Sequence, residues 1–262
     1  MALATKRLVK DLKDLERNPL KENGIFHLFN DDNIFNIKAL IVGPGDTPYE
    51  KGFFFFDIVV GEEYPFKPPS VKFCTQNGNI RYNPNLYVNG KVCLSILNTW
   101  DGPKWTSTQS LSSILLTLQS ILNEFPLQNE PGFDRETGIK SINYNEVIQH
   151  ETLRFSVFEL LKGPPHSFEI FLPIMEDYFI QNFEWYINKL QKLSEEYKNK
   201  QYFVSQVYAL QCQNMYVELL SECVKRYSTL KDKYNIKNPF NIKKKLSDKK
   251  NDEVKELEEN YK

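Results

Sequence analysis

The sequence predicts an α+β fold with an N-terminal helix, a four-stranded antiparallel meander sheet, following helices and an all-helical C-terminal extension. Three observations lead to this fold class. Apolar residues recur at helical spacing near the start, extended segments separated by turn formers follow, and helical spacing without a strand pattern returns after residue 163. We therefore divide the chain into a first domain (residues 1–162), a helical extension (163–240) and a charged, disordered tail (241–262).

The first predicted element is an amphipathic helix over residues 3–17. Its apolar stripe contains Leu8, Leu12 and Leu15. Basic residues fill the other face, namely Lys6, Arg7, Lys10 and Lys13. A solvated surface is the simplest interpretation of these charges, and a surface that binds a partner is the alternative.

The meander sheet is predicted from extended segments at residues 25–29, 34–42, 52–60 and 71–75. The turn-forming stretches between the first three are short enough to join neighbouring antiparallel strands. Residues 53–56 are four consecutive phenylalanines. Such a run indicates that both faces of the third strand are covered.

Start and stop signals predict the later helices. Ser110 is a candidate N-cap for a helix over 111–122, and Phe125-Pro126 ends it. A further helix is predicted over 144–161, before the Gly-Pro-Pro sequence at 163–165 that marks the domain boundary. Two or three helices are expected between residues 168 and 234.

Composition limits the classes of partner and compartment. The 33 basic and 34 acidic residues leave no global field for nucleic acid or an anionic membrane. No apolar run approaches the length of roughly 18 residues that spans a bilayer, and the N-terminal residues lack the apolar centre of a signal peptide. We expect a cytoplasmic protein, with the nucleus left open, whose four cysteines are free thiols. The three histidines are scattered, which disfavours a metal cluster.

The most informative residues are Cys93 and Asn85, which stands eight positions before it. A thiolate is a strong nucleophile and a good leaving group, so a cysteine can carry an acyl group as a thioester. A side-chain amide can donate hydrogen bonds to the oxyanion that forms when the thioester is attacked. The pair therefore suggests acyl transfer.

Three motifs in the same order resemble those of the ubiquitin-conjugating enzymes. They are the turn at residues 43–53 (GPGDTPYEKGF), the loop at 64–73 (YPFKPPSVKF), and the segment with Asn83-Pro84-Asn85 followed by residues 93–97 (CLSIL). The resemblance covers about residues 3–162. Trp100, Gly102-Pro103, Trp105 and residues 129–133 (NEPGF) are similar to the large branch called ubiquitin-conjugating enzyme Z.

This resemblance implies a UBC-like fold and a function. Cys93 would accept ubiquitin, or a ubiquitin-like modifier, from an activating enzyme, and pass it to a substrate lysine or to a ubiquitin ligase. Asn85 corresponds to the Asn of the family's His-Pro-Asn signature, to which oxyanion or loop stabilisation is assigned. Asn83 replaces the usual His, and its amide can make comparable short-range hydrogen bonds. Glu130, where many members carry an acid, is a candidate for orienting the attacking lysine. ATP is consumed by the activating enzyme, so no cofactor is expected here.

Partner-binding residues follow from the same resemblance. Lys6, Arg7 and Lys10 would meet the activating enzyme, and Phe66 would enter a groove of a ligase unless it is a core aromatic. Residues 105–108 (WTST) lack the proline that commonly follows the tryptophan in the second ligase-contacting loop, so binding to common ring-type ligases is expected to be weak.

Three other interpretations remain open at the level of sequence. A cysteine hydrolase needs the same nucleophile, but it also needs a general base, and no histidine is a convincing partner for Cys93. A non-catalytic module could use the same fold only to bind ubiquitin or a ligase. The helical extension could instead carry the main role as an interaction scaffold.

Overall fold

The structure is a computed structural model that describes residues 2–30 and 33–236. The predicted charged tail at 241–262 lies outside these residues. Among the helices described, none is both long enough and apolar enough to cross a membrane.

Helix α1 (Ala2–Arg17) confirms the predicted amphipathic helix. It buries Leu8, Leu12 and Leu15 as expected from their spacing. Asp11 is also buried on this face, which an apolar stripe alone does not predict. Its carboxylate accepts hydrogen bonds from the Tyr64 hydroxyl, the Arg7 guanidinium and the Leu111 backbone N–H.

The four predicted strands form one antiparallel meander in the order β1-β2-β3-β4. Their bounds are β1 Ile25–Asn30, β2 Asn33–Val42, β3 Phe53–Val59 and β4 Ser70–Phe73. Residues 53–56 are fully buried. Phe55 stacks on Phe168 with ring centroids 4.7 Å apart, and Phe56 lies 5.4 Å from Phe73. Both faces of β3 are therefore covered, as the aromatic run indicates.

The helices after the sheet begin close to the predicted signals. Helix α2 (Leu111–Ser120) has Ser110 as its N-cap, because the Ser110 hydroxyl accepts from the Ser113 N–H in a capping box. Helix α3 (Ile139–Glu151) begins before the predicted residue 144. It continues through a π-helical stretch (Thr152–Glu159) into α4 (Leu160–Lys162). Gly163 follows, where the stop signal was expected.

The extension contains α5 (Leu172–Gln181), α6 (Phe183–Glu196) and α7 (Tyr216–Lys233), but the prediction that it is all helical is wrong. Strands β5 (Tyr202–Ser205) and β6 (Leu210–Gln213) pair as an antiparallel hairpin. Phe203 and Ser205 are buried on one face of β5, whereas Tyr202 and Val204 are exposed. Two alternations in a four-residue strand are too few to stand out within an aromatic-rich helical pattern. The α+β class itself is confirmed.

The chain forms two compact units. The first contains the described residues up to Leu172 together with Tyr197–Met215, and therefore includes the β5–β6 hairpin. The second contains Pro173–Glu196 and the described residues from Tyr216 onward. Within the second unit, Phe183 stacks on Tyr227 at 3.8 Å, and Glu176 binds Lys233. The predicted division at residue 163 stays a prediction.

Candidate active site

The active-site segment, residues 82–99, is an irregular stretch held by short-range backbone hydrogen bonds. Bridges pair Asn83 with Leu86, and Leu86 with Val92. Gly90 turns the chain before Cys93 with φ +89°, and a Cβ at that position would lie 2.9 Å from the carbonyl oxygen of Phe73. Glycine is required there by both the dihedral angle and the space.

Cys93 and Asn85 are directly hydrogen-bonded to each other. The Cys93 N–H donates to the Asn85 carbonyl at 2.9 Å, and Asn85 Nδ2 donates to the Cys93 carbonyl at 2.6 Å. One amide hydrogen therefore fixes the loop that carries the nucleophile. Since an amide NH₂ has two hydrogens, the second is the one that could serve an oxyanion.

Cys93 is only 1% exposed. The side-chain oxygen of Asn85 is also buried and has no hydrogen-bond partner. A buried acceptor without a partner is unusual because it costs free energy. Access to the Cys93 thiol is therefore restricted in this structure.

Asn83 makes the local hydrogen bonds expected of a residue that replaces histidine. It is fully buried. Its Nδ2 donates to the Ile121 carbonyl at 2.8 Å and to the Tyr49 hydroxyl at 3.0 Å. Its Oδ1 accepts from the Asn85 N–H at 2.9 Å. Asn83 therefore ties the active-site segment to the end of α2 and positions the backbone of Asn85.

Glu130 lies in a cluster that the sequence did not predict. Its neighbour Asn129 reaches the Asn83 side chain, with Nδ2 3.5 Å from Oδ1. Glu130 Oε2 accepts a hydrogen bond of 2.6 Å from the Tyr208 hydroxyl and lies 4.0 Å from Arg81 Nη2. Tyr208 and Arg81 were missed because Tyr208 is 78 residues away and no local motif marks either. The role of Glu130 in orienting lysine stays a prediction.

The basic face of α1 divides into two kinds of residue. Lys6 and Lys10 are exposed. The Arg7 side chain is only 19% exposed and donates to Asp11 and to the carbonyls of Ser107 and Gln109. Burial opposes the charged form of Arg7, but the hydrogen bond and charge of Asp11 outweigh it and raise the pKa of the guanidinium. Arg7 holds α1 against residues 107–109 in this structure.

The two predicted ligase-contacting loops are joined by Trp105. Its indole N–H donates to the Pro65 carbonyl at 2.6 Å. Phe66, next in sequence, is 70% exposed and is therefore not a core aromatic. Where the proline is missing, the Thr106 N–H donates to the Gln109 side chain at 3.0 Å, so side-chain hydrogen bonds fix this loop instead.

A general base for Cys93 is not provided by any of the three histidines, all of which lie in the described part of the chain. None hydrogen-bonds to the Cys93 thiol. His150 Nε2 accepts from the Met215 N–H, which leaves Nδ1 to donate to Glu151. His166 is exposed beside Glu169, and His27 lies on β1 opposite Ala39.

One group of side chains has the spacing of metal ligands. The ligand atoms of His150, Glu151 and Cys212 lie within 4.8 Å of one another. Arg154 donates hydrogen bonds to both carboxylate oxygens of Glu151. Its positive charge disfavours a cation there. These side chains instead form a hydrogen-bonded network at the end of α3. His150 extends this network to the Met215 N–H, just after β6, so its role is to hold the hairpin and not a metal.

Comparisons with known proteins relate the sequence to one family. Residues 7–152 match the family model described as "Ubiquitin-conjugating enzyme". The chain is 44% identical over 182 residues to "Ubiquitin-conjugating enzyme E2 Z" of Xenopus tropicalis, covering 69% of this chain and 58% of that protein. The human protein of the same name is 43% identical over 69% of this chain and 51% of its own length. Human "Dual E2 ubiquitin-conjugating enzyme/E3 ubiquitin-protein ligase BIRC6" is 38% identical over 64% of this chain and 4% of that protein. The chain thus spans little more than half the length of the E2 Z relatives.

Proposed function

This chain belongs to the ubiquitin-conjugating enzyme family, and we propose that it carries ubiquitin, or a ubiquitin-like modifier, as a thioester on Cys93 and transfers it to a substrate lysine or to the thiol of a ligase. The observation that supports this function most directly is the reciprocal hydrogen bonding of Cys93 with Asn85. It places a thiol and an amide donor in one loop, as acyl transfer requires.

The reaction has two acyl transfers. In the first, the Cys93 thiolate attacks the carbonyl of the modifier's C-terminal glycine, and the thiolate of the activating enzyme leaves. In the second, a neutral amine attacks the new thioester, and the Cys93 thiolate leaves as the amine loses its proton. When a ligase thiol attacks instead, a new thioester forms. ATP is used by the activating enzyme, so we propose no nucleotide or other cofactor site on this chain.

Asn85 is proposed to act in the second transfer. One of its amide hydrogens is donated to the Cys93 carbonyl, which keeps the nucleophile's backbone in place. The other would be donated to the oxyanion of the tetrahedral intermediate. Removal of one such donor typically slows the chemical step by about 10²–10³.

Glu130 is proposed to act on the substrate lysine. A substrate lysine is normally protonated, and an acceptor at the cleft would orient the amine as it loses its proton. Glu130 is the candidate acceptor.

Lys6, Lys10 and Arg7 are proposed to face the activating enzyme, although Arg7 would have to exchange its internal hydrogen bonds to do so. Exposed Phe66 is proposed to enter a ligase groove. We propose the cytoplasm as the location, with the nucleus left open.

The burial of Cys93 favours a second candidate function. A thiol that is 1% exposed would be inert if the surrounding segment never opened. The chain would then be a non-catalytic module that binds ubiquitin or a ligase. A cysteine hydrolase has less support, because no described histidine is placed to activate a water molecule beside Cys93.

A loading assay separates these functions. The full chain is incubated with activating enzyme, ATP and ubiquitin, or with related modifiers and their activating enzymes, and run on gels with and without reductant. We expect an adduct that reductant removes and that is absent in Cys93→Ala. Cys74→Ala, which changes another thiol of the same unit, should load normally. No adduct with any pair would favour the binding module, and cleavage of preformed chains would favour the hydrolase.

A further inference from the structure

The turn of the β5–β6 hairpin has an unusual backbone. Between the strands, Tyr208 has φ +61° and ψ +12°, and Ala209 has φ +50°. Hairpin turns often have successive left-handed residues, but those are usually Gly, Asn or Asp, and the same angles are unfavourable for tyrosine and alanine. The contacts that Tyr208 makes with other segments help to hold this conformation.

Tyr208 uses both its hydroxyl and its ring. The hydroxyl donates to Glu130 Oε2 at 2.6 Å. The ring lies 4.2 Å from the guanidinium carbon of Arg81, which lies 3.9 Å from the ring of Tyr87 on the active-site segment. Arg81 is thus within cation–π distance of both rings. Burial, and then the hydrogen bond to Glu130, raise the pKa of Tyr208, so the hydroxyl keeps its proton.

Arg81 contacts both Tyr208 and the active-site segment. Its Nη2 donates to the Pro84 carbonyl at 2.6 Å, between Asn83 and Asn85. The Arg81 backbone is fixed in turn by the Tyr144 hydroxyl, which donates to its carbonyl at 2.7 Å. A continuous path of contacts therefore joins Tyr208 to the tripeptide that holds Cys93.

The base of the hairpin is anchored to α3. Phe203 is fully buried, with its ring 5.3 Å from that of His150 and 5.1 Å from that of Tyr197. The Met215 N–H, just after β6, donates to His150 Nε2 at 3.1 Å. These contacts restrict the hairpin, so the position of Tyr208 is set by packing rather than by the turn alone.

We propose that Tyr208 is a positioning residue for transfer to lysine, which it supports by holding the Glu130 carboxylate beside the Asn83–Asn85 tripeptide. This inference rests on the proposed function. The Tyr208 hydroxyl donates to only one of the two carboxylate oxygens of Glu130, Oε2. Among the residues described, no group donates to Oε1, which leaves that oxygen to accept a hydrogen bond from the incoming amine. Without the hydroxyl, the carboxylate would rotate and would be correctly placed for a smaller fraction of the time.

Tyr208→Phe tests the hydroxyl while keeping the ring over Arg81. Full-length parent and variant are loaded with ubiquitin, the activating enzyme is quenched, and loss of the thioester is followed with free lysine. We expect equal loading and a discharge to lysine that is about three- to ten-fold slower, the size expected from the loss of one hydrogen bond of ordinary net strength. Tyr202→Phe, at an exposed tyrosine of the same hairpin, is the matched control and should discharge like the parent.

Two further readouts separate positioning from general damage. Hydroxylamine is mostly uncharged at neutral pH and is a strong, small nucleophile that loses its proton readily to water, so its reaction with the thioester should depend little on an orienting carboxylate and should be nearly unchanged in Tyr208→Phe. In a Glu130→Gln background, Tyr208→Phe should cause no further loss, because the group through which it acts is gone. Parental discharge to lysine, equal slowing with lysine and hydroxylamine, or the same loss in both backgrounds would overturn the inference alone. Failure of the parent to load would overturn the proposed function as well.

Discussion

The active-site segment and the β5–β6 hairpin lie in the same compact unit, yet they differ in how far apart in sequence their defining contacts are. Cys93 and Asn85 are eight residues apart and bond to each other. Tyr208 and Glu130 are 78 residues apart. The comparison teaches that the two proposed reacting groups are encoded within a few residues of each other, whereas the side chain proposed to support them lies on a hairpin that is distant in sequence.

The largest expected effect is on the anchoring of the hairpin. Phe203→Ala removes a fully buried ring that contacts His150 and Tyr197. We expect the free energy of unfolding to fall by about 3–5 kcal/mol, measured by denaturant titration of the full chain. Val204→Ala, at an exposed neighbour on the same strand, should change it by less than about 0.5 kcal/mol. If both variants lowered the free energy of unfolding by the same small amount, the packing of Phe203 on α3 would not hold the hairpin as described.

The next largest expected effect is on the hydrogen-bonded pair of Asn85 and Cys93. Asn85→Ala should still load, but its discharge to free lysine should slow by about 10²–10³, equivalent to about 3–4 kcal/mol in the barrier. The variant loses the donor to the Cys93 carbonyl, which is also the donor proposed for the oxyanion. Asn89→Ala, at an exposed residue of the same segment, is the control and should discharge normally. Discharge of Asn85→Ala at the parental rate would refute the catalytic role.

The smallest effect concerns Glu151, the last residue of α3, whose carboxylate lies within 4.8 Å of the Cys212 sulfur on β6. Desolvation opposes its ionised form, but hydrogen bonds from His150 and Arg154 outweigh that cost and lower its pKa to about 2. Because the folded-state pKa lies below that of the unfolded chain, the carboxylate stabilises the fold above about pH 4.5, and the contribution is lost as the pH falls toward 2.

The pH dependence of unfolding checks this prediction. The pKa shift corresponds to at most about 3 kcal/mol at neutral pH. Glu151→Gln should lower stability at pH 7 and show a shallower loss between about pH 4.5 and 2 than the parent. Glu169→Gln, at an exposed acid, serves as control. Parallel stability curves for Glu151→Gln and the parent would contradict the lowered pKa.

Much of the fold was readable from the sequence because periodicity, capping and turn chemistry act over short distances. The helix α1, the meander and the Ser110 cap are examples. The expected hydrogen bonding of Asn83 in place of histidine is also seen. The hairpin was missed because each strand has only four residues, and a clear alternation of burial is seen only in β5.

The site was readable only in part, for a related reason. Spacing at Arg7 indicates an exposed basic face, but the carbonyl groups that bind its guanidinium belong to Ser107 and Gln109, about a hundred positions later. Arg81 and Tyr208 likewise gain their importance from packing between distant segments. A single sequence carries no signal for such pairs, because neither residue has a local pattern that requires the other.

Intact mass measurement after loading tests the role of Cys93 most directly. The full chain, Cys93→Ala and Cys93→Ser are each incubated with activating enzyme, ATP and ubiquitin. We expect the parent to gain the mass of one ubiquitin less one water and to lose it in reductant. Cys93→Ser should form an oxygen ester that survives reductant, and Cys93→Ala should gain nothing. An adduct that persists in Cys93→Ala, or no adduct on the parent with any activating enzyme and modifier, would contradict the thioester role of Cys93.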